Sequence, residues 1–128
     1  MKLLLDTHAF LWFILGDGKL SSAARSRIAD PINEIMISPA SYWEIAIKIS
    51  LGKYSLGQPF QAFIEKQIAV NQFRVLAIEP KHAAALIGLP HHHRDPFDRL
   101  LVAQAIVEGL PIVSTDLLLD SYPIRRLW

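Results

Sequence analysis

Four acids in this 128-residue chain stand where one edge of a fold could gather them. Asp6 follows the apolar run "KLLL", Glu44 lies in "SYWEIAIKISLGK", Asp98 in "HRDPFDRLLVAQA", and Asp116 closes "IVSTD". Two carboxylates ~5 Å apart repel by roughly 3 kcal/mol at an effective dielectric near 20, so four on one edge need protons or cations between them. The chain has no cysteine, so no thiolate competes with the oxygen donors that the four acids supply. Oxygen-only ligation suits a hard divalent ion, Mg²⁺ or Mn²⁺, which keeps waters and meets phosphate oxygens. Such an ion lowers the pKa of a bound water and offsets charge developing on a phosphodiester.

Each acid also has a plainer reading. Asp98 fits the third position of a helix capped by Asp95 with Pro96 first, where the helix dipole favours an acid. Glu44 is an ordinary helix charge, although Trp43 and Ile45 beside it mark a buried face. Asp6 and Asp116 could cap the helices that follow them. The same edge is nonetheless given an acid each time where a neutral cap would serve, and this favours a shared site.

The elements that must position these acids alternate. Lys2 to Leu5 reads as a central strand covered on both faces, ending at Asp6. Thr7 to Leu15 and Ser22 to Ala29 read as helices around the turn "GDGKL", with Ser22 as N-cap of the second. "EIMIS" is a strand, and the helix after it has Ser38 as N-cap, Pro39 first and Gly52 as stop. "PFQAFIEKQIAVNQF" places Phe60, Phe63, Ile64 and Ile68 on one helical face, "RVLAIE" is a third strand, and "PKHAAALIGLP" a short helix closed by Gly88 and Pro90. Pro96 to Val107 is a helix stopped at Gly109, "PIVST" a strand, and "PIRRLW" an edge strand. The pattern predicts a single α/β/α domain over residues 1–128, with a parallel sheet of about five strands. In such a sheet, ligands bind beyond the carboxyl ends of the strands.

Composition bounds the partners. The 13 Lys+Arg and 12 Asp+Glu give a net charge of +1, which leaves no broad electrostatic footprint for nucleic acid, so any such contact is local. The 52% hydrophobic content is high for a monomer of this size and predicts that a partner covers some apolar surface. Asp6 and His8 interrupt the apolar N-terminus, no cleavage site follows, and no run reaches the ~18 apolar residues of a membrane span. The absence of cysteine agrees with a reducing cytoplasm.

The four acidic segments, in this order and spacing, resemble the motifs of PIN-domain ribonucleases, most closely the VapC-like toxins of prokaryotic toxin–antitoxin pairs. The resemblance spans nearly the whole chain. It implies a PIN-like three-layer fold in which Asp6, Glu44, Asp98 and Asp116 are the catalytic and metal-binding residues for Mg²⁺ or Mn²⁺. It further implies an RNA substrate, a small antitoxin partner and a homodimer. By the same resemblance Asp98, and not Asp95, is the third acid, which leaves Asp95 as a cap beside the site. Thr7, Ser114 and Thr115 are hydroxyl neighbours that could orient water or a carboxylate.

Lys48, Lys53, Arg94 and Arg99 are candidate contacts to RNA phosphates, or solvated helix charges. "HHHR" at His91 to Arg94 is a poor zinc site, because adjacent histidines diverge and no cysteine supports them. Trp12 and Trp43 read as core or interface anchors, and Leu11, Phe13 and Ile14 as a dimer or partner surface. A phosphotransferring domain with Asp6 as nucleophile would want a second acid close after it, and "DTHAF" offers none. A module that binds RNA or protein on the same fold without catalysis is the remaining alternative.

Overall fold

The computed structural model describes residues 1–128. In chain order its elements are β1 (Lys2–Leu5), α1 (Thr7–Leu15), α2 (Ser22–Ala29), β2 (Glu34–Ile37), α3 (Pro39–Ser50), α4 (Phe60–Val70), β3 (Arg74–Val75), α5 (Pro80–Ile87), α6 (Pro96–Glu108), β4 (Ile112–Val113), a 3₁₀ turn (Leu117–Ser121) and β5 (Arg126–Leu127). The strands form one parallel sheet in the order β3-β2-β1-β4-β5, with β1 at its centre.

Burial on both faces explains why β1 is continuously apolar. Leu3 and Leu5 point into a core shared with Ile35, Ile37 and Val113 and with Phe10, Ala24, Ile45 and Ile64 of the helices α1 to α4. Leu4 points the other way, into a second core with Ile112, Tyr122, and Leu101, Val102 and Ala105 of α6. Removing a Val, Leu, Ile or Phe side chain of these cores from water stabilises the fold by about 2 kcal/mol.

From β1 the chain winds outward through β2 to β3, then returns to build β4 and β5 on the other side. The order therefore reverses between β1 and β4, and a crevice opens there beyond their carboxyl ends. Asp6 leaves β1 at this point, and its amide donates to Val113 O of β4 at 3.2 Å. Helix α3 starts at the same end of the sheet because it follows β2, and α6 starts there because it runs back into β4.

Local chemistry departs from expectation in three places. Ser21, not Ser22, caps α2, its hydroxyl accepting from the Ala24 amide at 3.0 Å. The third strand is only Arg74–Val75, because β2 ends at Ile37, where Ser38 already caps α3 and leaves nothing further to pair with. Leu11 is buried, and Phe13 and Ile14 pack against the protein's own core, so this part of α1 is not a free partner surface. Of the two tryptophans read as core or interface anchors, Trp12 packs half-buried against the core and Trp128, and Trp43, 62% exposed, keeps only the interface reading.

Candidate active site

Asp6, Glu44, Asp98 and Asp116 line one cleft of 360 Å³ above the reversal point, together with Thr7, His8, Trp12, Lys48, Asp95 and Thr115. Nine of these ten lining residues are polar or charged, so the cleft suits an ionic ligand and not an apolar one. No three His, Asp or Glu side chains converge into a ready-made cage of ligands. The donor set still fits a hard divalent ion, which binds through few carboxylates and completes its shell with water.

Each acid is placed by its own local structure. Asp6 caps α1, its Oδ1 accepting from the Ala9 amide at 2.7 Å. Glu44 lies on the inner face of α3 and is 5% exposed, a depth a carboxylate tolerates only with partners. It has two: Thr7 Oγ1 donates to its Oε1 at 2.8 Å, and Lys48 Nζ, one helical turn on, sits 3.0 Å from its Oε2. Thr7 has one hydroxyl proton and gives it to Glu44, which leaves Ser41 as the donor in the 3.2 Å contact between their hydroxyls.

Asp95 is the N-cap of α6, accepting from the amides of Phe97 at 2.7 Å and Asp98 at 3.4 Å. Asp98 has no hydrogen-bond role in starting the helix beyond its own amide, and its carboxylate is free to face the cleft. Asp116 caps the 3₁₀ turn, its Oδ1 accepting from the Leu118 amide at 3.0 Å. The buried Ser114 sits between two acids: its Oγ accepts from the Asp116 amide at 3.0 Å, and its hydroxyl opposes the upward shift of the nearby Asp6 carboxyl.

The electrostatics report crowded negative charge. Burial, followed by the neighbouring Asp95, Glu44 and Asp116 charges, pushes the Asp98 carboxyl up to about 6. Asp6 is also raised, by burial first, while Ser114, the Ala9 amide and His8 oppose the shift. Carboxylates that resist ionising beside one another are relieved by a bound cation.

The basic candidates separate. Lys48 lines the cleft. Lys53 is exposed in the turn after α3 and is not part of the lining. Arg94 is exposed and faces a neighbouring concavity, which Arg99 floors. Arg99 is 7% exposed, and its guanidinium donates to Pro90 O, Leu86 O and Leu89 O. Those bonds make it a staple for the loop between α5 and α6, in place of the phosphate contact expected from its position beside Asp98.

Two residues were missed in the sequence, His93 and Tyr122. His93 Nε2 lies 2.7 Å from Asp116 Oδ2, and its Nδ1 lies 2.9 Å from the Tyr122 hydroxyl. His8 also lines the cleft. The motif "HHHR" does supply one partner to the acids, through its third histidine.

The chain matches the family model described as PIN domain over residues 3–124. It is 32% identical over 120 residues to the protein of Mycobacterium tuberculosis named Ribonuclease VapC22, covering 93% of this chain and 90% of that one. Among solved structures, VapBC2 from Rickettsia felis bound to a DNA fragment from their promoter superposes with a TM-score of 0.73 at 16% identity, covering 100% of this chain and 99% of that one. DNA-bound VapBC from Salmonella typhimurium gives 0.69 at 23% identity, with 99% and 97% covered. At those identities the structural likeness is one of fold.

Proposed function

The chain belongs to the PIN-domain family, among its VapC-like members, and from that premise we propose that it is a metal-dependent ribonuclease, the toxin of a toxin–antitoxin pair. The observation that carries this reading is the convergence of Asp6, Glu44, Asp98 and Asp116 on one polar cleft. These four carboxylates would hold Mg²⁺ or Mn²⁺, which when bound supplies a water of lowered pKa and neutralises charge on the scissile phosphodiester. The protein's own groups prepare the cleft. Thr7, itself bonded to Ser41, fixes Glu44, Ser114 holds the Asp116 amide beside Asp6, and Asp95 fixes the start of α6 so that Asp98 faces inward. Lys48 is the cation best placed to meet an RNA phosphate, because it lines the cleft and ends on a flexible, half-exposed stem. Thr115, exposed at the rim, is within the lining and available to substrate or water.

We further propose that residues 1–128 work as one unit, as a homodimer in the cytoplasm, held inactive by a small antitoxin. No helix is long and apolar enough to cross a membrane. An apolar groove of 280 Å³ between α3 and α4, lined by Tyr42, Phe60, Ile64 and Ile68, supports a protein partner, as do the antitoxin-containing relatives. The test is loss of an end-labelled structured RNA on incubation with partner-free protein and Mn²⁺, set beside an EDTA control. Metal-dependent loss supports the nuclease. RNA retained on the protein without loss contradicts it in favour of a binding module.

A further inference from the structure

We infer that His93 is the positioning residue of Asp116, and that Tyr122 sets the imidazole tautomer that lets it do so. The inference rests on the metal-holding reading of the cleft and extends it to two residues outside the four acids.

Donors and acceptors fix the direction of every bond. Tyr122 is 4% exposed and His93 5%, so neither relies on solvent for its hydrogen bonds. The Tyr122 oxygen accepts from the His93 backbone amide at 3.1 Å. Its proton has one acceptor in reach, His93 Nδ1 at 2.9 Å. Nδ1 therefore carries no proton, the ring proton is on Nε2, and Nε2–H donates to Asp116 Oδ2 at 2.7 Å. The His93 and Tyr122 rings lie nearly parallel at 17°, and His92 packs edge-on against Tyr122 with centroids 4.9 Å apart. Both contacts hold the phenol ring that carries the hydroxyl.

This chain of bonds crosses the fold. His93 belongs to the loop that leads into α6 and Asp98, whereas Asp116 and Tyr122 bracket the 3₁₀ turn after β4. The bond from Nε2 ties the two acid-bearing segments together across the sheet's reversal point. It also takes one lone pair of Oδ2, while the Leu118 amide takes one of Oδ1. The carboxylate plane is then fixed, with its remaining lone pairs turned to the cleft. Hydrogen-bonded partners of this kind typically change metal affinity about 10- to 100-fold when removed.

The experiment measures Mn²⁺ dissociation constants by electron paramagnetic resonance, without RNA, for the wild-type protein and for folded His93→Leu, His93→Gln and Tyr122→Phe variants. Circular dichroism establishes folding. His93→Leu is expected to weaken Mn²⁺ about 10-fold or more. His93→Gln, whose amide can still donate at the Nε2 position, is expected to recover most of that loss, and Tyr122→Phe to fall between. Equal affinity in all folded variants overturns the inference while leaving the metal site standing. Absence of Mn²⁺ binding by the wild-type protein overturns the reading beneath it, and this inference with it. Should His93→Leu fail to fold, ¹⁵N spectra of the wild-type imidazole decide: a protonated Nε2 with bare Nδ1, lost or mixed in Tyr122→Phe, supports the inference, and a protonated Nδ1 overturns it.

Discussion

Thr7 Oγ1 donates a 2.8 Å hydrogen bond to Glu44 Oε1, joining the first residue of α1 to the inner face of α3. The bond supplies a donor to a carboxylate too buried to keep its water. Thr7→Val preserves shape and removes the donor, so about 1–3 kcal/mol of stability should be lost. Lys48 still holds the other oxygen and keeps the loss from being larger. Urea unfolding monitored by circular dichroism checks this, and a loss within a few tenths of a kcal/mol would show that Glu44 does not need Thr7.

Asp98 makes stability depend on pH in a definite direction. Its folded value, about 6, is raised from 3.8 by burial and then by its acidic neighbours. A raised carboxyl adds stability that is fully present below the ordinary value and is lost as pH rises through the folded one. Asp6 is raised as well and acts in the same sense. In metal-free protein, Asp98→Asn should therefore stabilise by about 1 kcal/mol near pH 7, after allowing for solvent screening, and by little near pH 4. Excess Mg²⁺ should reverse the order, because the wild type gains more from binding. Melting temperatures at the two pH values, with EDTA and with Mg²⁺, test each part, and an Asp98→Asn variant less stable than wild type near pH 7 in EDTA would contradict the assignment.

Arg99 should matter for stability and not for RNA binding. Arg99→Met leaves three carbonyls of the loop between α5 and α6 without their donor, a loss of about 2–4 kcal/mol. Arg99→Lys should recover little, since an ammonium group lacks the planar fork that spans them. The check is unfolding free energy beside RNA affinity of the folded fraction. An RNA affinity that drops while stability holds would restore Arg99 as a phosphate contact.

Lys48 should matter chiefly for RNA binding. It is 44% exposed but pairs with the buried Glu44. Lys48→Gln, whose amide can still donate to Glu44 Oε2, should therefore cost about 1 kcal/mol of stability. It should also weaken RNA binding and reduce the slope of log affinity against log salt by about 0.7. An unchanged salt slope would remove Lys48 from the substrate path.

Much of this arrangement was legible because it is local. The run Lys2 to Leu5 ends at an acid, Ser38 and Pro39 announce α3, and Asp95 and Pro96 announce α6; each is decided by neighbours within one turn. The split between Asp95 as cap and Asp98 as cleft acid rests on the family resemblance, since the helix start alone leaves Asp98 readable as a first-turn acid favoured by the helix dipole. What the sequence concealed depends on distance. His93 meets Asp116 and Tyr122, 23 and 29 residues away, and nothing in "HHHR" distinguishes the third histidine from the first two. Arg99 sits beside Asp98 in the chain but lies about 100° around α6 from it, toward the loop carbonyls. Leu11, Phe13 and Ile14 look unpartnered on a helical projection, yet α1 is wrapped by enough of the first core to bury more than one face.

The central claim is that the four acids act as one metal-dependent nuclease site. Its most direct test is cleavage of an end-labelled structured RNA by partner-free protein with Mn²⁺, using Asp6→Asn, Glu44→Gln, Asp98→Asn and Asp116→Asn variants of verified fold, with EDTA as control. The account predicts cleavage by the wild type alone, at least about 100-fold faster than by any single variant, and none in EDTA. Undiminished cleavage by a folded Asp98→Asn protein, or cleavage that survives EDTA, would contradict it.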